Sequence, residues 1–286
     1  MGITIGLAQI NPCLGDVEKN WELYRTYIAE AKARDVQLLL FPELGLTGYF
    51  LKDMVPEVAL RLDAPLIQAL REESRSLSLL VGLVEESPDH FFYNAAIYFE
   101  QGEIRHVHRK VYLPTYGMFD EQRYFARGRK VRAFDTRFGR CGILICEDLW
   151  HPALAYILAE EGIDLLLAPS NSPGRGVQLP EPKLAITDTW ELINRFYAKM
   201  FSLYLCYIHR VGYEEGVNFW GGSHVVNPEG EILAQADYFQ PELLTVELDP
   251  YEVRRSRIYS GMRRDEDLDL TLRELQRIYR QRYFAP

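Results

Sequence analysis

Three residue types that together could perform acyl transfer lie at separate points of the chain. Cys146 ends an apolar run that begins at Gly142, and Glu43 ends a second apolar run. Lys110 stands in a lysine-poor stretch. A thiolate can attack a carbonyl or nitrile carbon, a carboxylate in a dry pocket can take the thiol proton, and an ammonium can stabilise the resulting oxyanion. These residues therefore predict a catalytic set, with the backbone N–H of Glu147 as a second oxyanion donor.

Each of these side chains also has an ordinary structural interpretation. A free cysteine is usually a buried packing residue. Glu43 alone could be a solvated strand end, and Lys110 alone a surface charge. The joint pattern of acid, ammonium and thiol, each beside prolines, glycines and aromatic residues, favours the catalytic interpretation.

The elements that must position these residues alternate between strand-like and helical patterns, which predicts an α/β fold with a partly parallel sheet. Strands are predicted at 3–10, 36–42, 78–84, 95–100, 104–109, 141–146, 163–169, 203–210, 222–227 and 243–248. Helical spacing occurs at 17–34, with Asp16 as the N-cap, and at 56–76, 152–161, 183–201 and 270–283. Turn residues at 99–103 and 227–231 predict two hairpins.

Composition narrows the class of protein. A net charge of −9 argues against a nucleic-acid binder, whose contact face is basic. No apolar run approaches the roughly 18 residues of a membrane helix, and no basic region precedes the first apolar stretch as in a signal peptide. The four cysteines have neither disulfide nor zinc spacing. We therefore expect a cytoplasmic protein with no metal and no organic cofactor.

At these motifs the chain resembles the nitrilase, or carbon–nitrogen hydrolase, superfamily. The segments that carry the resemblance are Phe41-Pro42-Glu43-Leu44 with Thr47-Gly48-Tyr49, Lys110-Val111-Tyr112-Leu113-Pro114, and Gly142 to Asp148. The resemblance covers nearly the whole chain. It implies a single-domain α-β-β-α sandwich over residues 1–260, followed by a tail at 261–286. It also implies a Glu43, Lys110 and Cys146 triad, with Glu121 as a second glutamate that orients the lysine and the substrate.

Within that superfamily, residues 113–125 and Cys146-Glu147-Asp148-Leu149-Trp150 are similar to the glutaminase domain of glutamine-dependent NAD synthetase. The resemblance implies that the substrate is a small amide. The residues that it places around this substrate are Tyr49, Tyr116, Phe119, Glu147, Trp150 and Ser172. Gly174-Arg175-Gly176 differs from the aromatic residue and lysine that are commoner in that branch. The Ser-Gly-Gly-x-Asp-Ser loop of the synthetase domain does not occur in the sequence.

Several functions remain open at this point. The first is a Cys-dependent amidase that acts on a glutamine-like amide; a nitrilase or an N-carbamoyl hydrolase would use the same triad. The second is a glutaminase subunit that supplies ammonia to a separate synthetase. The third is a binding module that keeps the fold without activity, against which the intact triad argues. The family resemblance also implies a homodimer or higher oligomer, and the tail at 261–286 either packs on a partner subunit or is a solvated helix.

The sequence context of the histidines predicts mainly structural roles. His106 and His108 are expected to be solvated strand residues, because no third metal ligand is suitably spaced. His151 precedes Pro152 and is expected near a helix N-cap rather than in a Cys–His pair. For His224, core packing and an approach to the site are equally consistent with the sequence.

Overall fold

The computed structural model describes residues 2–175, 177–178 and 183–284. Its strands are β1 (Ile3–Gln9), β2 (Leu38–Leu40), β3 (Ser78–Glu86), β4 (Phe92–Glu100), β5 (Glu103–Arg109), β6 (Phe134–Thr136), β7 (Gly139–Ile143), β8 (Leu165–Ser170), β9 (Val177–Gln178), β10 (Lys183–Leu184), β11 (Tyr204–His209), β12 (Val211–Glu214), β13 (Val217–Trp220), β14 (His224–Val226), β15 (Ile232–Gln235) and β16 (Glu242–Leu248). Its helices are α1 (Val17–Ala33), α2 (Val55–Val58), α3 (Pro65–Glu73), α4 (Glu121–Tyr124), α5 (Pro152–Glu160), α6 (Ala185–Phe201), α7 (Pro250–Tyr259), α8 (Met262–Asp265) and α9 (Leu268–Phe284). Short 3-10 helices lie at Lys52–Met54 and Cys146–Trp150.

Two mixed sheets form the centre of the molecule. The first has the strand order β16-β1-β2-β3-β4-β5, and the second has the order β15-β14-β11-β8-β7-β6. Strands β1, β2 and β3 are mutually parallel, as are β7, β8 and β11, while the outer strands pair antiparallel. The partly parallel sheet is confirmed, and so are the hairpins that join β4 to β5 and β14 to β15.

The apolar core has two layers. Side chains such as Ile5, Leu40, Ile143 and Leu167 meet in a cluster to which both sheets contribute, and α5 and α6 pack onto it. A second cluster joins the first sheet to α1 and α3. The order of layers is therefore helix, sheet, sheet, helix, so the predicted α-β-β-α sandwich is confirmed. Among the described residues, no helix has both the length and the apolar content that crossing a bilayer requires.

Helix α1 shows how sequence pattern becomes packing at the edge of the site. The Asp16 carboxylate accepts a hydrogen bond from the Lys19 backbone N–H at 3.0 Å, which confirms the predicted N-cap. Helical spacing then places Tyr24 and Ile28 on the buried face. The ring of Tyr24 stacks on Phe41 with centroids 3.7 Å apart. This contact supports the turn that follows β2, which carries Glu43.

One predicted helix was wrong. Residues 56–76 form two helices, α2 and α3, rather than one. Between them, Leu60 pairs with Glu85 at the edge of β3. Pro65 begins α3 because its fixed φ suits a first helical position, while the residue before a proline avoids the helical region. Strand β6, the hairpin of β12 and β13, and helix α7 were not predicted, because their short or polar sequences carry weak periodicity.

Candidate active site

Glu43 lies in the turn after β2 and is almost fully buried. The turn crosses β3 at Gly82, where a Cβ atom would lie 2.3 Å from the Pro42 carbonyl oxygen and 2.9 Å from the Glu43 Cα. Only glycine permits this approach. The Glu43 Oε1 atom accepts hydrogen bonds from Lys110 at 2.6 Å and from the Asn94 amide at 2.7 Å. Its Oε2 atom is buried without a hydrogen-bond partner among the described residues, so it is available to take a proton.

Lys110 follows the last residue of β5 and is 1% exposed. Its Nζ atom lies 2.6 Å from Glu43 Oε1 and 2.7 Å from Glu121 Oε1. Burial alone would lower the pKa of Lys110, but the carboxylates of Glu121 and Glu43 outweigh it and hold the pKa well above the ordinary lysine value. Lys110 therefore stays charged, and its position depends on both acids.

Glu121 begins α4 and is buried. Its Oε1 atom accepts hydrogen bonds from Lys110 and, at 2.6 Å, from the Tyr49 hydroxyl. Burial raises the pKa of Glu121 to about 7, with Lys110 opposing and Glu43 reinforcing this effect. Glu121, itself held by Tyr49, is thus the second buried carboxylate that fixes the position of Lys110.

Cys146 does not end a strand as predicted. Strand β7 stops at Ile143, and Cys146 begins a 3-10 helix with a left-handed φ of 45°. A non-glycine residue in this region is strained by about 1–3 kcal/mol and is often functional. The residue is 8% exposed. The pKa of the Cys146 thiol is raised well above its ordinary value, mainly by burial and in second place by the charge of Glu43. The charge of Lys110 acts in the opposite sense. The resting thiol therefore keeps its proton until a base removes it.

Asp148 connects the segments of Lys110 and Cys146. Its Oδ1 atom accepts from the backbone N–H groups of Val111 and Tyr112, and its Oδ2 atom accepts from that of Ile145. His108 also contacts this carboxylate and is only 2% exposed. The prediction that His108 is a solvated strand residue was therefore wrong: its face of β5 packs onto the second sheet. His106 is likewise not fully solvated, because its ring stacks on Phe134.

Two asparagines near Glu43 were missed by sequence reasoning. Asn94 on β4 donates to the Glu43 carboxylate, and Asn171, just after β8, donates to the Glu43 carbonyl at 2.6 Å. The backbone of Asn171 also hydrogen-bonds the Cys146 thiol. Nothing in the residues around Asn94 signals that it meets a carboxylate 51 positions away.

A rim of polar and aromatic groups lies beside the thiol. The Tyr116 hydroxyl donates to the Glu147 carboxylate at 2.9 Å. The ring of Phe119 packs edge-on against Tyr116, with centroids 5.4 Å apart, and the Arg175 guanidinium lies 4.8 Å from the centre of Phe119. Burial, then the Glu147 hydrogen bond, raise the pKa of Tyr116 to about 12, and the charges of Cys146 and Arg175 also act on it. The structure thus brings three predicted pocket residues together and adds Arg175.

Ser172 and Trp150 occupy different environments. Ser172 is buried, and its backbone N–H donates to His209 Nε2 at 2.8 Å. Burial lowers the pKa of His209 to about 3, so the ring is neutral and holds the loop after β8. Trp150 is 40% exposed, and its ring packs edge-on against Trp190 of α6. That contact gives Trp150 a packing role on the side of the second sheet that α6 covers.

The remaining histidines have structural roles. His151 is the residue before α5, as predicted, and its ring stacks on Tyr112 with centroids 3.3 Å apart. His224 is buried and lies 3.0 Å from the Asn194 amide and 2.8 Å from the Gly222 carbonyl, which is the core-packing alternative. Within the described ranges, no group of His, Cys, Asp or Glu side chains is arranged to hold a metal ion.

Comparison with known proteins gives a consistent result. A model of the carbon–nitrogen hydrolase family matches residues 4–258. The glutamine-dependent NAD(+) synthetase of Thermotoga maritima is 33% identical over 271 residues, which are 92% of this chain and 45% of that protein. The nitrilase of Pyrococcus abyssi is 28% identical over 262 residues, 90% of this chain and 93% of that protein.

The solved structure of a carbon–nitrogen hydrolase from Helicobacter pylori superposes with a TM-score of 0.83 at 27% identity, covering 96% of this chain and 99% of that one. This chain spans about half the length of the NAD synthetases that it matches, such as the Thermotoga protein. The resemblance predicted from the sequence is therefore confirmed, and the chain belongs to the carbon–nitrogen hydrolase family of enzymes.

Proposed function

We propose that the protein is a Cys-dependent amidase that releases ammonia from the side-chain amide of an amino acid such as glutamine. The observation that carries the amidase assignment is the buried Glu43, Lys110 and Glu121 cluster, whose charges act on the Cys146 thiol. Acyl transfer needs a nucleophile, a base and an oxyanion donor. Cys146, Glu43 and Lys110 supply these three groups.

The reaction runs in two halves. Cys146 Sγ attacks the amide carbon while its proton passes to Glu43, and the oxyanion is stabilised by Lys110 and the Glu147 backbone N–H. Glu43 then returns the proton to the amide nitrogen, ammonia leaves, and a thioester remains on the sulfur. A water molecule gives its proton to Glu43 and attacks the thioester carbon, which releases the acid and restores the thiol.

The rim supports an amino-acid amide over a plain aliphatic amide. Glu147 carries a negative charge and Arg175 a positive one, and both act on the Tyr116 hydroxyl between them. An α-ammonium pairs with a carboxylate, and an α-carboxylate pairs with a guanidinium. A substrate that bears both groups, with its amide reaching inward to Cys146, satisfies each charge. Phe119 and Tyr116 would then cover its apolar methylene groups.

A second candidate is a glutaminase subunit that delivers ammonia to a separate synthetase. It is favoured by the match to about half the length of NAD synthetases. A nitrilase or an N-carbamoyl hydrolase would use the same triad, and relatives of similar length are named nitrilases. The charged rim argues against a nitrilase that acts on simple nitriles, because such substrates have no group to pair with Glu147 or Arg175.

The deciding experiment measures ammonia release from glutamine, asparagine, short aliphatic amides, carbamoyl amino acids and nitriles. We expect glutamine to give the highest kcat/KM. Cys146→Ala should lower kcat by more than about 10³-fold while the fold is retained, because alanine fits where a small buried thiol does. Glu43→Gln should lower kcat by a similar factor.

The matched control is Cys206→Ala. Cys206 is also buried, but it lies in β11 away from the acids. Its replacement should leave kcat/KM within about threefold of wild type. Full activity of Cys146→Ala on every substrate would eliminate the covalent scheme. A nitrile or a carbamoyl compound as the best substrate would replace the amidase assignment with the corresponding alternative.

A further inference from the structure

A cavity lies at the opposite end of the sandwich from Cys146. Its volume is about 660 Å³, which is inside the range of roughly 300–1,000 Å³ for small-molecule pockets. Strand β8 begins at this cavity with Leu165 and ends with Ser170 beside the active site. Six residues of strand span roughly 17 Å. The cavity is therefore separate from the candidate active site.

Most of the cavity wall is apolar, and three layers of the fold contribute to it. Ile3 and Leu248 come from the first sheet, Leu165 from the second, and Val253 and Ile258 from α7. Such a wall suits an aliphatic or aromatic body, since each buried CH₂ group contributes about 0.8 kcal/mol. A ligand here would touch both sheets at once.

The charged groups of the wall are unbalanced. Three guanidinium groups, of Arg137, Arg254 and Arg257, face one carboxylate, of Asp164. Both Asp164 oxygens are already used: Oδ1 accepts from Arg257 at 2.8 Å, and Oδ2 accepts from the Arg140 backbone N–H at 3.0 Å. Arg137 in turn lies 3.9 Å from Glu100 Oε2. Among the described residues, the positive charge of the wall that has no carboxylate partner is therefore that of Arg254.

Two of these arginines have unused hydrogen-bonding capacity. In the part of the chain that the structure describes, Arg254 makes no ion pair, and the Nε atom of Arg257 is buried without a hydrogen-bond partner. Burial also lowers the pKa of Arg257. Arg254 is exposed to solvent. The buried Nε atom of Arg257 is costly beside an apolar wall unless an anion satisfies it.

We propose that this cavity binds an amphiphilic monoanion, a carboxylate with an aliphatic or aromatic body, whose charged end meets Arg254 and Arg257. The body of the ligand packs between the first and second sheets at the end remote from Cys146. Binding stabilises the folded chain, because a ligand that binds only the folded state adds a free energy that grows with its concentration. This site goes beyond the proposed amidase activity and does not depend on it.

The test titrates the full chain with octanoate and with 3-phenylpropanoate, by calorimetry and by the thermal unfolding midpoint. Acetate and 1-octanol are the comparison ligands, the first lacking the body and the second lacking the charge. We expect saturable binding of at least one of the two amphiphilic acids and a rise in the unfolding midpoint. Acetate and 1-octanol should bind at least about tenfold more weakly, because each lacks one of the two contributions.

Three variants assign the binding to this cavity. Arg254→Ala should weaken binding by about tenfold or more, the typical effect of losing a charged hydrogen bond. Arg255→Ala is the matched control, because this neighbour lies on the same helix but pairs with Asp249 at 2.9 Å instead of lining the cavity. Ile258→Trp, at a half-exposed wall position, narrows the cavity and should weaken binding without removing a charge.

The comparison of Arg254→Ala with Arg255→Ala also excludes the active site as the place of binding, since both residues lie on α7 and only Arg254 lines the cavity. Circular dichroism verifies that each variant is folded. Absence of saturable binding of both acids at millimolar concentration overturns the proposal. Equal affinity of Arg254→Ala and Arg255→Ala, or equal affinity for octanoate and 1-octanol, overturns it as well.

Discussion

His108 Nε2 and Asp148 Oδ2 lie 2.9 Å apart, and both side chains are shielded from solvent. This pair joins β5, which leads to Lys110, to the 3-10 helix that carries Cys146. The Asp148 carboxylate also accepts hydrogen bonds from three backbone N–H groups. One carboxylate therefore fixes the separation between the Lys110 ammonium and the Cys146 thiol. Asp148 is therefore a positioning residue for the proposed reaction.

Replacing Asp148 should damage both stability and turnover. Asp148→Ala leaves three buried N–H donors unsatisfied, so we expect a loss of about 3 kcal/mol or more in the free energy of unfolding, together with a large fall in kcat. Asp148→Asn keeps one acceptor oxygen, so its stability and its kcat should lie between those of the wild type and of Asp148→Ala. Urea unfolding and ammonia release measure the two effects.

Asp135→Ala is the control for Asp148→Ala. Asp135 lies in β6 with a side chain that is 81% exposed, and among the described residues it pairs only with Arg140. Exposed ion pairs contribute about 0–1 kcal/mol. If Asp148→Ala were no less stable and no less active than Asp135→Ala, the positioning role would be refuted.

Gly82→Ala tests the close approach of β3 to the Glu43 turn. The new methyl group would lie 2.3–2.9 Å from backbone atoms of the Glu43 turn. These clashes are relieved only if the turn moves. We expect kcat/KM to fall by at least about tenfold, because Glu43 moves away from the thiol. Gly6→Ala is the control, since the nearest atoms to its methyl group are side-chain carbons of Val36, Leu39 and Leu243 at 3.0–3.3 Å rather than backbone. Similar activity of both variants would contradict this account.

The raised pKa of Glu121 makes stability depend on pH. The folded chain keeps the Glu121 proton up to about pH 7, whereas the ordinary pKa of a glutamate, which applies to the unfolded chain, is 4.5. Between these values the folded state binds more protons, so stability falls as pH rises. Relative to Glu121→Gln, the wild-type free energy of unfolding should decrease from pH 4.5 to about 7 and then run parallel. A constant difference over that window would contradict the raised pKa.

Charge pairing at the rim can be tested with trimmed substrates. Glutaric acid monoamide lacks the α-ammonium of glutamine, and 4-aminobutanamide lacks the carboxylate. We expect Glu147→Gln to reduce kcat/KM for glutamine by about tenfold or more but to leave glutaric acid monoamide nearly unchanged. Arg175→Gln should spare 4-aminobutanamide in the same way. Equal losses on all three substrates would instead indicate a general disturbance of the pocket.

The tail prediction concerns the quaternary state. Helix α9 presents Leu272, Leu275 and Tyr279 to solvent, and no residue of this helix is buried. We expect a homodimer or higher oligomer that uses this stripe, so Leu275→Glu with Tyr279→Glu should lower the molecular mass seen by sedimentation equilibrium. Gln276→Glu, on the same helix, should not. A monomeric wild type would favour the solvated-helix alternative.

The sequence drew attention to the proposed catalytic residues more readily than to the residues that hold them in place. Glu43, Lys110 and Cys146 stand beside apolar runs, which are visible without a structure. Asn94 and Asp148 act through hydrogen bonds to groups far away in the chain, and no local pattern encodes such a partner. Arg175 was visible only as a departure from a motif, because a single charge has no periodicity.

Element boundaries failed where tertiary contacts override local preference. The apolar run into Cys146 predicts strand to its end, but the hydrogen bonds of Asp148 to the backbone of Ile145 turn the chain into a 3-10 helix first. Residues 56–76 carry helical spacing throughout, yet Leu60 gains an edge pairing with β3. The α/β class and the partly parallel sheet were predictable from the regular apolar patterns. The order of the four layers was implied by the family resemblance, because apolar periodicity alone does not say how two sheets stack.

Glu43 and Lys110 extend from the first sheet, whereas Cys146 extends from the second. If one sheet slid over the other by about an ångström, the proposed base Glu43 would move away from the proposed nucleophile Cys146. The backbone hydrogen bonds between the strands of each sheet would all be retained. We therefore expect heat, or a destabilising core mutation, to reduce turnover before the far-ultraviolet circular dichroism signal is lost. For this architecture, turnover is the more sensitive gauge of how well the two halves of the interior interlock.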